Sequence, residues 1–368
     1  MTRCLFLFAL LLSFIVPSVA RDERQHHEDL TPDQLGTVHF PVSCAEAVQK
    51  PFERGVALLH SFWYEEAQKE FEGISHQDPQ CAMAYWGIAM SRWHQLWDRP
   101  KADMIKSVNE QFAKSNDLKV PTDRERDYLA AIKTFYSDAG KLDHQKRAEA
   151  YSKAMEQMYA KYPDDREASA FYALSLLASE PDNDTTFANR KKAAEVLEKL
   201  FAVEPAHPGV AHYLIHSYDK PQLAQLGLPA ARSYAKIAPA APHALHMPSH
   251  IFARLGLWQD DIDSNVASIA ATRKTAAMHM GGEGHQFHAM DFLVYAYLQS
   301  GREADAKHVI EDVQKMPEMP DMYGMGDPRL FGLTRFPAVY ALELHHWSEA
   351  AALQVVPKAS VGLTSTTY

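Results

Sequence analysis

Nine of the nineteen histidines fall between residues 207 and 288, at spacings that matter on a helix. His212 and His216 are four apart, so a helix would set them on one face. His243, His246 and His250 follow an i, i+3, i+7 pattern, an arc of about 60° at 3.6 residues per turn. His285 and His288 are three apart, with Glu283 just before and Asp291 just after. Imidazole is the commonest metal ligand and the usual proton carrier near neutral pH. If the three groups lie on neighbouring helices, about 8–10 Å apart, their rings can converge. Three or four such nitrogens at about 2.0–2.1 Å make a transition-metal site. Paired H-x-x-x-H helices suit zinc or copper, and there are donors enough for two ions. The expected ligand set is His212, His216, His243, His246, His250 and His288, with Glu283 or Asp291 orienting a ligand or moving a proton. Met247, Met278 and Met280 could add sulfur for copper, although methionine more often fills gaps.

A second reading needs no metal. Any one of these histidines could simply donate to a carbonyl or to a tyrosine such as Tyr213 or Tyr218. Taken as a set, neutral imidazoles on one face gain little apolar burial and lose solvation, which points to a functional groove. Its expected lining is His212, His216, His243, His246, His250, His285, His288, Asp291 and Arg254, and its guest a protein, a peptide or a small ligand. Trp86, Trp93 and Trp97 with Arg92 and His94 could line the N-terminal part, or serve as packing. Other chemistries lack their signatures. There is no H-E-x-x-H for a zinc protease, no C-x-x-C-H for haem attachment and no G-x-S-x-G elbow. Gly281-Gly282-Glu283-Gly284 lacks the spacing of a phosphate-cradling loop.

The elements that must carry these side chains repeat along the chain. From Gly55, Ala67 lies twelve residues on, Phe71 four further and Pro79 eight beyond that. This is the tetratricopeptide spacing, a unit of about 34 residues made of two antiparallel helices. Ala193, Leu197 and Pro205 keep the second half of it, as do Ala230, Tyr234 and Pro242, and Tyr151, Met155 and Pro163. Mid-unit turns recur at Leu255-Gly256-Leu257-Trp258, Ser300-Gly301-Arg302-Glu303 and His346-Trp347-Ser348. Apolar residues recur at helical spacing and strand-like alternation is nearly absent, so the fold class is all-α. The pattern predicts a right-handed α-solenoid of about seven helix pairs, its first helices lining the concave side. Those first helices are expected near 47–60, 82–95, 122–136, 166–178, 208–218, 243–255 and 285–300, with a last one at 328–343. Pro248 should kink its helix between His246 and His250. Residues 96–121, with Pro100 and Pro121, read as a longer connection, and residues 316–330 as a second, irregular one.

The formal charge of −10 comes with no basic block, which argues against nucleic-acid binding. Residues 1–20 read as a signal peptide. Arg3 precedes the apolar run Leu5 to Val16, and Pro17-Ser18-Val19-Ala20 offers small residues for cleavage after Ala20. An uncleaved anchor is the alternative, but the run is short for a membrane span, and no later stretch is long enough. Cleavage would remove Arg3 and take the formal charge to −11. The expected layout is a leader at 1–20, a flexible segment at 21–37, the repeat domain at 38–355 and a tail at 356–368. The protein should be exported, periplasmic or secreted, with no membrane span after cleavage. Cys44 and Cys81 would then meet an oxidising compartment, where a lone pair tends to form a disulfide; two buried free thiols are the alternative.

Four stretches carry a resemblance. They are Ser43-Cys44, residues 78–87 (DPQCAMAYWG), residues 207–216 (HPGVAHYLIH) and residues 243–256 (HALHMPSHIFARLG). In these, and over most of residues 38–350, the chain resembles a group of exported bacterial tetratricopeptide-repeat proteins of largely uncharacterised function. The resemblance implies the helical-repeat fold and fits a Cys44–Cys81 pairing. It implies no particular activity. Two functions therefore stand: an exported scaffold binding a guest in a histidine-rich groove, or a metal-dependent oxidase or hydrolase using zinc or copper.

Overall fold

A computed structural model describes residues 30–97, 99–319 and 327–354. The leader at 1–20, the N-terminal segment through residue 29, the 320–326 part of the second irregular connection and the tail at 356–368 lie outside the described residues. Every regular element among the described residues is helical. In chain order these are α1 (Pro32–Leu35), α2 (Gln49–His60), α3 (Tyr64–Gln77), α4 (Ala82–Ser91), α5 (Ala102–Ser115), α6 (Asp123–Tyr136), α7 (His144–Lys161), α8 (Arg166–Ala178), α9 (Ala188–Val203), α10 (Pro208–Tyr218), α11 (Ala224–Ile237), α12 (Pro242–His246), α13 (Pro248–Leu255), α14 (Trp258–Ala277), α15 (His285–Gln299), α16 (Glu303–Lys315), α17 (Arg329–Glu343) and α18 (Trp347–Ala352). A 3-10 turn at Glu46–Val48 leads into α2.

Local chemistry sets many of the boundaries. The side chains of Thr122, Asp143 and Asp165 accept from the backbone N–H three residues on, capping α6, α7 and α8. Pro208 and Pro242 occupy the first turns of α10 and α12, where a missing N–H costs nothing. Gly256, at φ 69°, ends α13 in the left-handed conformation that favours glycine. The helix expected over 243–255 is two pieces, because Pro248 has no N–H to continue the ladder and α12 stops at His246.

Consecutive helices pack on one another along the chain, giving a helical-repeat-like array. The small residues of the repeat pattern make room for its aromatics. A Cβ on Gly87 would lie 2.3 Å from the Phe71 ring, and one on Gly55 would lie 2.9 Å from it. Two apolar clusters result. The larger runs from Leu35 to Met280, and the smaller joins Ile262, Met290, Leu293, Ile310 and Phe336.

The array also closes across a long sequence interval. Gly209 on α10 sits directly under the His60 ring at the end of α2. Trp63 Nε1 donates to the Met280 carbonyl at 3.0 Å. The N-terminal segment through residue 37, expected to be flexible, is anchored over residues 30–37. Leu35 is buried, Thr37 N donates to Ala206 O at 2.9 Å, and Ala240 N donates to Gln34 O at 3.0 Å. Leu35 gains apolar burial that offsets its ordering. Cys44 and Cys81 form a disulfide, which ties the 3-10 turn before α2 to the start of α4. No helix among the described residues is long and apolar enough to cross a membrane.

Candidate metal centre

Four helices deliver the histidines. α10 presents His212 and His216, α12 presents His243 and His246, α13 presents His250, and α15 presents His285 and His288. Six of these seven rings gather into two triads. In the first, His212 Nε2 lies 3.1 Å from His243 Nε2 and 3.0 Å from His216 Nε2. In the second, His250 Nε2 lies 3.0 Å from His246 Nε2 and 3.3 Å from His288 Nε2. Within each triad the three candidate ligand atoms all lie within 4.8 Å of one another. The triads abut: ring centroids are 5.9 Å apart for His243 and His246, and 6.3 Å apart for His216 and His250.

For three of the rings the far side settles which nitrogen faces inward. His246 Nδ1 lies 2.6 Å from the side-chain oxygen of Asn265. The Asn265 NH2 group donates to the Asp261 carbonyl and carboxyl oxygens, at 3.0 and 2.6 Å, so the amide cannot turn over. His250 Nδ1 lies 2.8 Å from the Asp219 carboxylate. His212 Nδ1 lies 2.6 Å from the His60 carbonyl. Oxygen acceptors on all three Nδ1 atoms place the proton there and leave Nε2 as a bare lone pair. His246 and His250 therefore aim two lone pairs at each other across 3.0 Å.

Protonation of His246 is a poor way out of that repulsion. Burial lowers His212 and His288 to about 3, and it takes His216, His243 and His246 well below the ordinary imidazole value. Neighbouring imidazoles add to the effect on all five. Aromatic rings supply much of the cover. Phe62, in the turn between α2 and α3, has ring centroids 4.3 Å from His212 and 5.6 Å from both His216 and His243. Phe292 stands 4.6–5.2 Å from His246, His250 and His288. Trp97 meets His243 edge-on at 5.0 Å.

The expected groove residues divide accordingly. His212, His243, His246 and His250 are buried, and His216, His285 and His288 are partly so, because Phe62 of the N-terminal hairpin covers the first triad and Phe292 the second. His285 joins neither triad; its ring lies 5.0 Å from Trp97 and 5.9 Å from His243. Asp291 does not orient a ligand: both its oxygens are 2.8 Å from Arg335 Nε. Glu283 accepts no hydrogen bond from a triad imidazole among the described residues. Arg254 reaches the site indirectly, donating to Asp219 at 3.0 Å. Met247 and Met280 are core residues, as are Trp86 and Trp93.

No protein-family model matches the chain, and no curated protein matches it.

Two further clusters of metal-binding residue types have other duties. In one, Glu167 is flanked by His60 Nε2 at 2.8 Å and His207 Nε2 at 2.9 Å. The Tyr213 hydroxyl lies 2.8 Å from His60 Nδ1, and Val210 N donates to His207 Nδ1, capping α10. Every ring nitrogen in this cluster has a partner of opposite sense, so it is a bonded structural network. Burial alone would raise the Glu167 carboxyl, but His207 and His60 outweigh it and hold it well below the usual range. In the other, near Asp78, the disulfide consumes both sulfurs.

The structure adds Asp219 and Asn265 to the residues that position imidazoles. Neither belongs to a sequence motif. Asp219 sits at the bend ending α10, three residues after His216, and that proximity was the one available signal. An open cavity of about 510 Å³, lined by Tyr64, Glu65, Arg92 and His94 among others, is separated from the first triad by the Trp97 ring. Tyr64 meets Trp97 edge-on at 5.4 Å, and Trp97 in turn meets His243.

Proposed function

We propose that this chain is an exported tetratricopeptide-type protein that holds two copper ions, one in each histidine triad, and uses them in oxidation chemistry with dioxygen. The observation that carries the metal reading is the buried Nε2 of His246, whose Nδ1 bears the proton and whose partner among the described residues is the Nε2 of His250, 3.0 Å away. A bound cation turns their mutual repulsion into coordination, whereas a histidine kept for packing would be satisfied as His60 and His207 are.

Charge favours copper over zinc. The six ligands are neutral imidazoles, and the nearest carboxylate, Asp219, already neutralises Arg254. Two zinc ions would put four positive charges into a buried site with no anionic ligand, while two Cu(I) ions would put in two. Imidazole suits copper, and among divalent ions copper binds nitrogen donors more tightly than zinc. A bound Cu(I) pair would supply two electrons to dioxygen, and the oxidised substrate would return two electrons to copper. The protein's own contribution is to fix the rings through Asn265, Asp219 and the His60 carbonyl and to exclude water with Phe62 and Phe292. The cavity beside Trp97 is the side from which a small substrate would approach. The groove reading, with histidines contacting a peptide, has less support because aromatic side chains cover their face.

Metal analysis of untagged protein tests this. About two equivalents of copper per chain are expected after loading with Cu(I) under anaerobic conditions, with dioxygen consumed on exposure to air. Uptake below about a tenth of an equivalent would overturn it, since ligands already converged should bind tightly. Two equivalents of zinc retained against competing copper would overturn the choice of metal.

A further inference from the structure

Resting on that metal reading, we infer that the two triads are unequal, and that the triad of His246, His250 and His288 takes the first copper ion because Asp219 supports it. The difference lies behind the rings. His250 Nδ1 is held at 2.8 Å by a carboxylate, and His246 Nδ1 at 2.6 Å by an anchored amide oxygen. A carboxylate behind a ligating imidazole raises its basicity and fixes its orientation. In the other triad, His212 Nδ1 is held by a neutral backbone carbonyl. Among the described residues no carboxylate accepts from His212, His216 or His243.

The surrounding arginines are paired at both triads, so the difference rests on Asp219. Arg190 Nη1 donates to the His216 carbonyl beside the first triad, while its Nε faces Glu180 at 2.7 and 2.8 Å. Near the second triad, Arg254 and Arg335 each face their own carboxylate, Asp219 and Asp291. Arg254 binds the Oδ1 atom of Asp219 and leaves Oδ2 for His250, so both atoms of that carboxylate are used and its position is fixed. The pair of ions is thereby loaded in order, the supported triad first and the carbonyl-backed triad second.

Copper(I) titration against a chromophoric chelator, anaerobic and on the full chain, reads both affinities. Wild type should bind two equivalents in two resolved steps. H216A should keep only the tighter step, and H288A only the weaker one. D219N should still bind two equivalents, with the first weakened about 10–100-fold, the usual cost of removing such a support. Equal affinity of the remaining site in H216A and H288A would overturn the inference, as would a D219N titration matching wild type. If D219N does not fold, judged by its helical circular dichroism, the comparison of H216A with H288A decides alone. Failure of wild type to bind any copper would instead sink the metal reading itself.

Discussion

Asn265 holds its side-chain oxygen 2.6 Å from Nδ1 of His246, and both residues are buried. The contact joins the second helix of one hairpin, α14, to the broken first helix α12–α13. It decides which nitrogen of His246 faces His250. Replacing Asn265 with Leu keeps the size and removes the acceptor. N265L should weaken one of the two copper equivalents by about 10–100-fold and leave the other unchanged. Chelator competition on the variant checks this, and two unaltered affinities would count against Asn265 as a positioning residue.

Behind Asn265 stands Asp261, fully buried, with Oδ1 accepting from the amide and Oδ2 partnerless among the described residues. Burial pushes its carboxyl up to about 8, only partly countered by the Asn265 hydrogen bond. The folded protein therefore keeps a proton that the unfolded chain releases near pH 4. Between those values the folded state binds more protons, so this residue's contribution to stability falls as pH rises, by at most about 1.4 kcal/mol per unit. D261N abolishes that slope. In urea unfolding of metal-free protein, the variant should gain on wild type steadily from pH 5 to 8. A difference that stays constant with pH would contradict the assignment.

Glu167 makes a contrasting case, since its histidine neighbours serve the fold. E167Q places an NH2 group where a carboxylate accepts from His60 and His207. The loss should be about 1.5–3 kcal/mol, the worth of a hydrogen bond to a charged group. Copper uptake should stay at two equivalents, because His212 depends on the His60 backbone carbonyl and not on its ring. Denaturation midpoints and metal analysis on the same preparation separate the two effects. A variant of wild-type stability that lost copper would reverse the roles assigned here.

What the sequence could tell follows from the range of each interaction. The spacing of His212 with His216 is local, and so was the break at Pro248; a helix translates both directly into geometry. Convergence across hairpins was expected from a repeat period, which would set equivalent helices side by side. Asp219, Asn265 and Glu167 were not legible. Their partners lie 31, 19 and 107 residues away, with no motif to join them. Asp291 looked like a site residue because it follows His288 by one turn, yet Arg335, 44 residues on, claims it. The expected open face was the largest departure. Nothing in a period of about 34 residues says that the turn at 61–63 returns over α10, because that contact joins units far apart in the array.

Gly209 couples fold and site at a single atom. Helix propensity alone favours alanine there by about 1 kcal/mol, since position 209 lies in the first turn of α10. Packing says the opposite. An added Cβ would lie 2.3 Å from His60 Nδ1. The His60 ring cannot yield, being held by Tyr213 and Glu167 and stacked on Phe171 at 4.7 Å. α10 must shift instead, and it carries His212 and His216. G209A should therefore cost about 1–3 kcal/mol, as overpacked cores do, and weaken the copper equivalent bound by His212, His216 and His243. G87A meets the Phe71 ring at the same 2.3 Å but lies on α4, which contributes none of the six triad histidines. It should destabilise comparably and leave both copper affinities intact. Stabilisation by G209A, or equal copper loss in the two variants, would show that α10 does not transmit the strain to the triad.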